Sequence, residues 1–232
     1  TPYNPSPSRI DTTFMASPYD LQEQEQLAQL KHFWARYGNL ITWLLIAVLG
    51  AFAVWNGWQY WQRKTALEAA ALYDELDRAA RANDVDRVRR VWADLQKQAG
   101  RSAQAQHGGL LVARVLQDAG ELQEARAALQ AVVERSKDAG VAAAARLRLS
   151  ALELQAGDHA AALKWLDASL PPEFAALVAD RRGDVLLAQG QTDAARQAYQ
   201  AAWRGMGPEV DYRRIVEAKL NALGVDPTKT SE

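Results

Sequence analysis

The sequence contains no cysteine, so no disulfide can hold its fold together, although many exported proteins also lack cysteine. It has few β-branched residues and many alanines, a composition that favours helices. Its 27 basic and 28 acidic residues give a formal net charge of −1, without the basic excess that nucleic-acid binding usually needs. We therefore expect an all-α protein that does not bind nucleic acid.

The sequence also lacks the residue patterns of catalysis and of ligand binding. Its three histidines stand far apart, and none has a partner at the spacing of metal ligands. There is no glycine-rich phosphate loop and no nucleophile elbow. Asp180 and Asp184 are one helical turn apart, as paired catalytic carboxylates could be, but two arginines between them indicate a solvated helix face. We expect no enzyme, no cofactor, no metal site and no small-molecule substrate.

One long segment, from Leu40 to Trp61, contains no charged residue. As a helix it would be about 33 Å long, which matches a bilayer hydrocarbon core of about 30 Å. Tryptophan and tyrosine residues flank both ends, as they do at the two headgroup layers of a membrane. The sequence therefore predicts a single transmembrane helix over residues 38–62.

Two other interpretations of this apolar segment remain open. A buried helix of a soluble protein would normally show a polar stripe, which is missing here. A signal peptide could be cleaved after the small residues Ala51 and Ala53, but the whole stretch from Thr1 to Asn39 would then precede its apolar part, which is long for a leader. Two basic residues lie near each end of the segment, so charge does not decide its orientation.

The two ends of the chain are predicted to be tails: residues 1–37 form a disordered or short N-terminal tail, and residues 224–232 form a disordered C-terminal tail. The stretch before Met15 contains three prolines and no periodicity, which is typical of disorder. Met15 looks like a natural start, so residues 1–14 are either upstream coding sequence, a cloning remnant or a floppy native tail.

A sequence pattern recurs around three glycines that follow one another at nearly equal spacing. A small residue lies seven positions before each glycine, an alanine five after it and a large apolar residue nine after it. In chain order the four positions are Ala113, Gly120, Ala125 and Leu129, then Ser150, Gly157, Ala162 and Leu166, then Gly183, Gly190, Ala195 and Tyr199. A fainter copy has Leu76, Asn83, Val88 and Trp92 at these positions.

Each copy of the pattern is typical of a helical hairpin. The glycine, or Asn83, ends a first helix in the left-handed conformation, and the alanine lets the second helix approach closely. A period of about 34 residues with two helices each indicates tetratricopeptide-like repeats, which stack into a solenoid because one hairpin cannot bury its apolar face alone. We predict such a repeat domain over residues 65–223.

The order of these elements resembles a known family. The tail, the span with tryptophans at its exit and the small repeat domain are similar to the YfgM-type ancillary subunit of the bacterial SecYEG translocon, as are the segments from Arg36 to Trp61 and from Val178 to Ala202. The resemblance covers about residues 18–223 and carries over no catalytic residue. It implies an inner-membrane protein with a cytoplasmic N-terminus and a periplasmic repeat domain. It also implies contact with the SecYEG translocon and with a membrane-bound periplasmic chaperone of the prolyl-isomerase type.

The first helices of tetratricopeptide hairpins line a concave surface, which suits an extended peptide or a partner helix. Counting from each turn residue, the predicted partner-binding residues are Tyr73, Asp77, His107, Arg114, Gln117, Leu147, Ala151, Asp180, Asp184 and Leu187. The alternative is a solenoid face without a fixed ligand.

For function we expect an adaptor that passes translocated proteins to periplasmic chaperones by tethering, without catalysis. The alternative is a membrane-tethered regulator whose tail, residues 15–37, binds a cytoplasmic signalling protein.

Overall fold

The computed structural model describes residues 18–229, with side chains from residue 25 onward, and the chain divides into two compact units, residues 1–61 and 62–232. Every regular element of the described residues is helical, so the predicted all-α class is confirmed. The elements are α1 (Pro18–Arg81), α2 (Val85–Ala99), α3 (Ala103–Asp118), α4 (Leu122–Arg135), α5 (Ala139–Gln155), α6 (His159–Asp167), a short 3-10 turn (Pro172–Phe174), α7 (Ala175–Ala188), α8 (Thr192–Gly205) and α9 (Arg213–Ala222).

The first unit contains the apolar segment as part of α1. This is the one helix of the described residues that is long and apolar enough to cross a membrane. Its large apolar side chains from Trp43 to Trp61 are exposed, which is the pattern of a helix surrounded by lipid and not of a helix buried in a soluble core.

The predicted disorder of residues 1–37 is wrong for residues 18–37. Helix α1 begins at Pro18, where proline suits the first turn of a helix because its missing N–H group needs no partner there. Glutamine, glutamate, leucine and alanine, which are all good helix formers, dominate the residues that follow. The predictions about residues 1–14 and the start at Met15 lie outside the described residues.

In the second unit the predicted hairpin turns are confirmed. Their turn residues all have the left-handed backbone conformation, with φ of +52° at Asn83, +83° at Gly120, +79° at Gly157 and +77° at Gly190. The amide that follows each turn residue donates to the carbonyl five residues before it, as Glu121 does to Leu116 at 2.8 Å. This bond satisfies a carbonyl that would otherwise be unpaired at the end of the first helix.

A fifth turn follows the last predicted hairpin. Gly224 lies one repeat period after Gly190 and has a φ of +77°, and the amide of Val225 donates to the Leu220 carbonyl at 3.0 Å. Helix α9 is therefore the first helix of a further unit whose second helix is missing from the described residues. The predicted disorder of residues 224–232 is wrong for residues 224–229, because Val225 packs against the apolar cluster of α8 and α9. Residues 230–232 lie outside the described part.

The small and large positions of the repeat meet inside each hairpin. Ala125, Ala162 and Ala195 have no exposed surface, so the two helices of each hairpin pack directly over them. The fit at Gly183 is tight, because a Cβ atom at this position would lie 2.5 Å from the ring of Tyr199. The spacing of small and large residues around each turn thus indicates the point at which two helices approach closely.

Arginines six positions after three of the turn residues join three of the hairpins to the unit that follows. Arg89 reaches Glu124 at 2.7 Å, and Arg126 forms a bidentate pair with Glu153 at 2.8 and 2.7 Å. Arg196 donates to the carbonyl at the end of α9 at 3.3 Å. The third hairpin has leucine at this position. Bidentate arginine pairs fix orientation as well as distance, so these contacts help to set the angle between neighbouring hairpins.

A polar network attaches α9 to α7 and α8. Lys219 donates to Asp180 at 2.7 Å and to Asp184 at 2.6 Å. The hydroxyl of Tyr212 donates to Asp180 and that of Tyr199 to Asp184, both at 2.8 Å. Asp180 is only 1% exposed, and two donors satisfy its two carboxylate oxygens.

The two phenols of this network keep their protons at neutral pH. Burial, followed by the charge of Asp180 and the hydrogen bond to it, raises the pKa of Tyr212 to about 12. Burial and the hydrogen bond to Asp184 raise the pKa of Tyr199 as well. Both groups therefore remain hydrogen-bond donors to the carboxylates throughout the physiological range.

Replacing the close-approach alanine with a bulky residue tests the hairpin packing. We expect Ala162→Trp to lower the free energy of unfolding by about 1–3 kcal/mol or more, because the indole must push α5 and α6 apart. Thermal unfolding of the full chain in detergent, followed by circular dichroism, measures the effect. Lys164→Ala, an exposed position of the same helix, is the control and should melt like the parent chain. Equal melting temperatures for the two variants would show that Ala162 is not a close-approach position.

Removing the ammonium group of Lys219, which binds both Asp180 and Asp184, tests the attachment of α9. We expect Lys219→Met to destabilise the second unit by about 2–3 kcal/mol, somewhat less than a fully buried broken pair, because 25% of the Lys219 side chain is exposed. The same melting experiment measures it. Adding Asp180→Asn and Asp184→Asn should recover part of the loss by removing the unpaired charges. A Lys219→Met variant as stable as the parent would contradict the role given to this network.

Candidate protein-binding surface

The candidate surface is formed by the first helices of the hairpins, namely residues 65–81 of α1 together with α3, α5 and α7; we call it the first-helix face. Helix α3 packs beside α5, and α5 packs beside α7. Of the predicted residues, His107, Arg114, Gln117 and Leu187 are exposed, and Tyr73, Asp77, Leu147, Ala151 and Asp184 are half-buried. Asp180 is buried.

A cleft of about 280 Å³ brings two of the predicted residues together, Asp77 at the end of α1 and Arg114 on α3. Asp77 forms an ion pair with Arg81 at 2.7 Å, whereas Arg114 and Asp118 are 3.8 Å apart and both largely exposed. The other lining residues are Ala80, Asn83, Leu111 and Val115. An apolar floor with a charged rim is typical of surfaces that can accommodate a peptide side chain.

The middle of the first-helix face carries an unbalanced positive charge at Arg148 on α5. Its guanidinium donates to the Leu110 carbonyl on α3 at 2.8 Å, and no carboxylate of the described residues forms an ion pair with it. Burial of this guanidinium and the nearby charge of Arg114 lower the pKa of Arg148. Two arginines without a strong acidic partner make this part of the face suited to an acidic group.

Sequence reasoning missed Arg148. Ala151, three positions later on the same helix, was among the predicted residues, and a spacing of three places two side chains on one face of a helix. The place of Arg148 on the same face as Ala151 could therefore have been predicted from the sequence. The neighbouring residues Gln117 and Gln155 add a polar link, with their side-chain amides 3.4 Å apart across α3 and α5.

The prediction that Asp180 contacts a partner is not supported by its position. Its side chain is buried under α9 and bound by Tyr212 and Lys219, so no exposed carboxylate remains for a partner. Asp184 is also engaged, by Tyr199, Lys219 and Arg181. At this end of the face the exposed predicted residue is Leu187, and Leu177 on the same helix is exposed as well.

The acidic side chains of the first-helix face do not form a metal site in the described residues. Within residues 18–229, no three histidine, aspartate or glutamate side chains are placed to hold a metal ion. The clustered carboxylates Asp180 and Asp184 are occupied by donors from α8 and α9, so they do not face a substrate cavity.

Comparison with known proteins gives the chain's relatives. It is 29% identical over 208 residues to a protein of Neisseria gonorrhoeae (strain ATCC 700825 / FA 1090) named "Ancillary SecYEG translocon subunit", a match that covers 88% of this chain and 98% of the relative. Proteins of the same name from Escherichia coli (strain K12) and Haemophilus influenzae (strain ATCC 51907 / DSM 11121 / KW20 / Rd) are 28% and 26% identical, and each match covers 88% of this chain and 97% or 99% of the relative. The resemblance seen in the sequence is thereby confirmed.

A family model described as "Tetratricopeptide repeat-like domain" matches residues 31–225, which include both the apolar segment and the repeats. Left-handed turns at the period of the repeat, with a buried alanine five residues after three of them, are the structural counterpart of this match. The chain therefore belongs to the family of proteins with the tetratricopeptide repeat-like domain.

Proposed function

We propose that this protein is an ancillary subunit of the Sec translocon, anchored in the bacterial inner membrane by residues 38–62, that binds other proteins through its repeat domain. The main support is the extent of the match to known proteins. The relatives named "Ancillary SecYEG translocon subunit" are matched over 97–99% of their length, so the likeness extends over the apolar segment as well as the repeats.

The mechanism we propose is tethering without chemistry. A repeat domain fixed to the membrane by α1 stays at a high local concentration near other membrane-bound proteins. This raises the occupancy of weak contacts with those proteins, although no additional contact is formed. A repeat-like domain is a protein-binding fold, so a role without turnover agrees with the family.

Within the domain, the first-helix face is the proposed contact surface. The cleft at Asp77 and Arg114 offers an apolar floor with charged edges, and Arg148 adds a positive charge that lacks an acidic partner among the described residues. Leu187 supplies an exposed apolar group at the other end. Such a surface suits an extended segment with acidic and apolar side chains, as an unfolded exported chain can present.

The repeat domain also has a proposed compartment and a proposed chaperone partner. We propose that the repeat domain is periplasmic and that it passes translocated proteins to a membrane-bound chaperone of the prolyl-isomerase type. The family resemblance supports both statements. The absence of cysteine agrees with an oxidising compartment, since no thiol of this chain can be oxidised there.

Site-specific photocrosslinking tests the contact surface. A benzoylphenylalanine residue at Arg114, in the full chain expressed in cells, should form crosslinks that antibodies against SecY or a model exported protein detect. The matched control is the same residue at Lys164, which is exposed on a second helix. We expect the Arg114 crosslinks to be at least several times stronger. Equal yields at the two positions, or none at Arg114 in a chain with normal circular dichroism, would contradict binding by the first-helix face.

Cysteine labelling tests the compartment, because the parent chain offers no thiol of its own. Lys137→Cys places one thiol in the exposed turn between α4 and α5, and Glu25→Cys places one before the apolar segment. In spheroplasts a membrane-impermeant maleimide should label Lys137→Cys and leave Glu25→Cys unlabelled until the cells are lysed. The reverse pattern would place the repeats in the cytoplasm and would favour the alternative of a cytoplasmic regulator.

A further inference from the structure

The part of α1 before the apolar segment carries a stripe of large apolar side chains. Leu27, Leu30, Phe33, Trp34 and Tyr37 recur at spacings of three and four positions, which places them on one face of the helix. Each is between 43% and 61% exposed. The other face is polar, with Glu25, Gln29, His32 and Arg36. We call the first set the Leu27–Tyr37 stripe.

A stripe of this kind needs an apolar environment. Successive turns of exposed leucine and aromatic side chains would face water in a helix that stands free in solution, and such contiguous apolar surfaces usually mark a membrane or protein contact. Phe33 and Tyr37 lie against each other, with ring centroids 5.1 Å apart, which makes the exposed surface continuous along the helix.

Two observations favour a lipid surface as the partner. The stripe is continuous in sequence with the apolar segment, because Leu40 follows Tyr37 within one helical turn. Charge is also distributed appropriately, since Lys31 and Arg36 lie beside the stripe near the apolar segment, where long basic side chains can reach phosphate groups. Tryptophan and tyrosine, which the stripe contains, are the residues that prefer the headgroup layer.

Helix α1 is continuous from Pro18 to Arg81, and a bend between the stripe and the apolar segment would have a local basis. Gly38 and Asn39, both poor helix formers, separate the two. The hydroxyl of Thr42 donates to the Gly38 carbonyl at 2.8 Å, one turn back, and bonds of this type often bend helices. The helix can therefore change direction at Gly38 at low cost.

We infer that residues 25–37 form an interfacial helix, whose Leu27–Tyr37 stripe lies in the boundary between headgroups and acyl chains of the bilayer in which the apolar segment is anchored. Helices with one apolar and one polar, partly basic face bind membranes in this way. The inference rests on the proposed membrane anchoring. It adds that the residues before the span form a second, parallel contact with the lipid and are not a free arm.

Fluorescence quenching by brominated lipids tests the inference on the full chain. The absence of cysteine allows one probe at a time, an environment-sensitive bimane on Leu30→Cys in the stripe, on Gln29→Cys on the polar face, or on Val48→Cys in the apolar segment. Each labelled chain is reconstituted into vesicles of phosphatidylcholine and phosphatidylglycerol, with bromine on shallow or on deep acyl carbons. We expect shallow bromine to quench the Leu30 probe several-fold more than the Gln29 probe, and deep bromine to quench the Val48 probe most.

The outcomes separate this inference from the anchoring on which it rests. Strong quenching at Val48 with equal, weak quenching at Leu30 and Gln29 would overturn the interfacial helix and leave the anchor in place. Weak quenching at all three positions would overturn both. A Leu30 probe that is unquenched, together with efficient disulfide formation between two copies of the unlabelled Leu30→Cys chain, would show that a second copy covers the stripe in place of lipid.

Discussion

The close approach of two helices over one alanine is the constraint on which the repeat domain depends. Ala125, Ala162 and Ala195 are fully buried, and the left-handed turn before each of them returns the chain at the angle that makes the approach possible. A hairpin closed in this way still exposes an apolar side, and only stacking against the next hairpin covers it. The first-helix face exists because this stacking aligns successive first helices.

Local patterns in the sequence were sufficient for this part of the fold. A glycine with an alanine five positions later describes a contact within one hairpin, and its geometry needs no distant partner. The roles of Asp180 and Lys219 could not be predicted in the same way. They lie more than a full repeat apart in sequence, and Asp180 looks like a solvated carboxylate until α9 covers it. Helix α9 itself was missed because its second helix, which completes the recognisable pattern, is absent after Gly224 in the described residues.

The last interface of the stack differs chemically from the earlier ones. The residues twelve and five positions before the turn are Gly108 and Val115 in α3 and Ala145 and Leu152 in α5, all of them buried. At the fifth turn the corresponding residues are Tyr212 and Lys219, which reach the carboxylates of α7. Polar contacts that need exact partners therefore add to the apolar packing of Val216 and Leu220 at the end of the stack. Such an interface selects one helix and one register more strictly than an apolar one.

The contacts of α9 restrict where the repeat array could grow. Tyr212 and Lys219 both bind Asp180 on α7. An extra hairpin inserted between α8 and α9 would separate these partners, whereas one inserted ahead of α7 would leave them in contact. The first-helix face could therefore lengthen ahead of α7 while the attachment of α9 stayed the same.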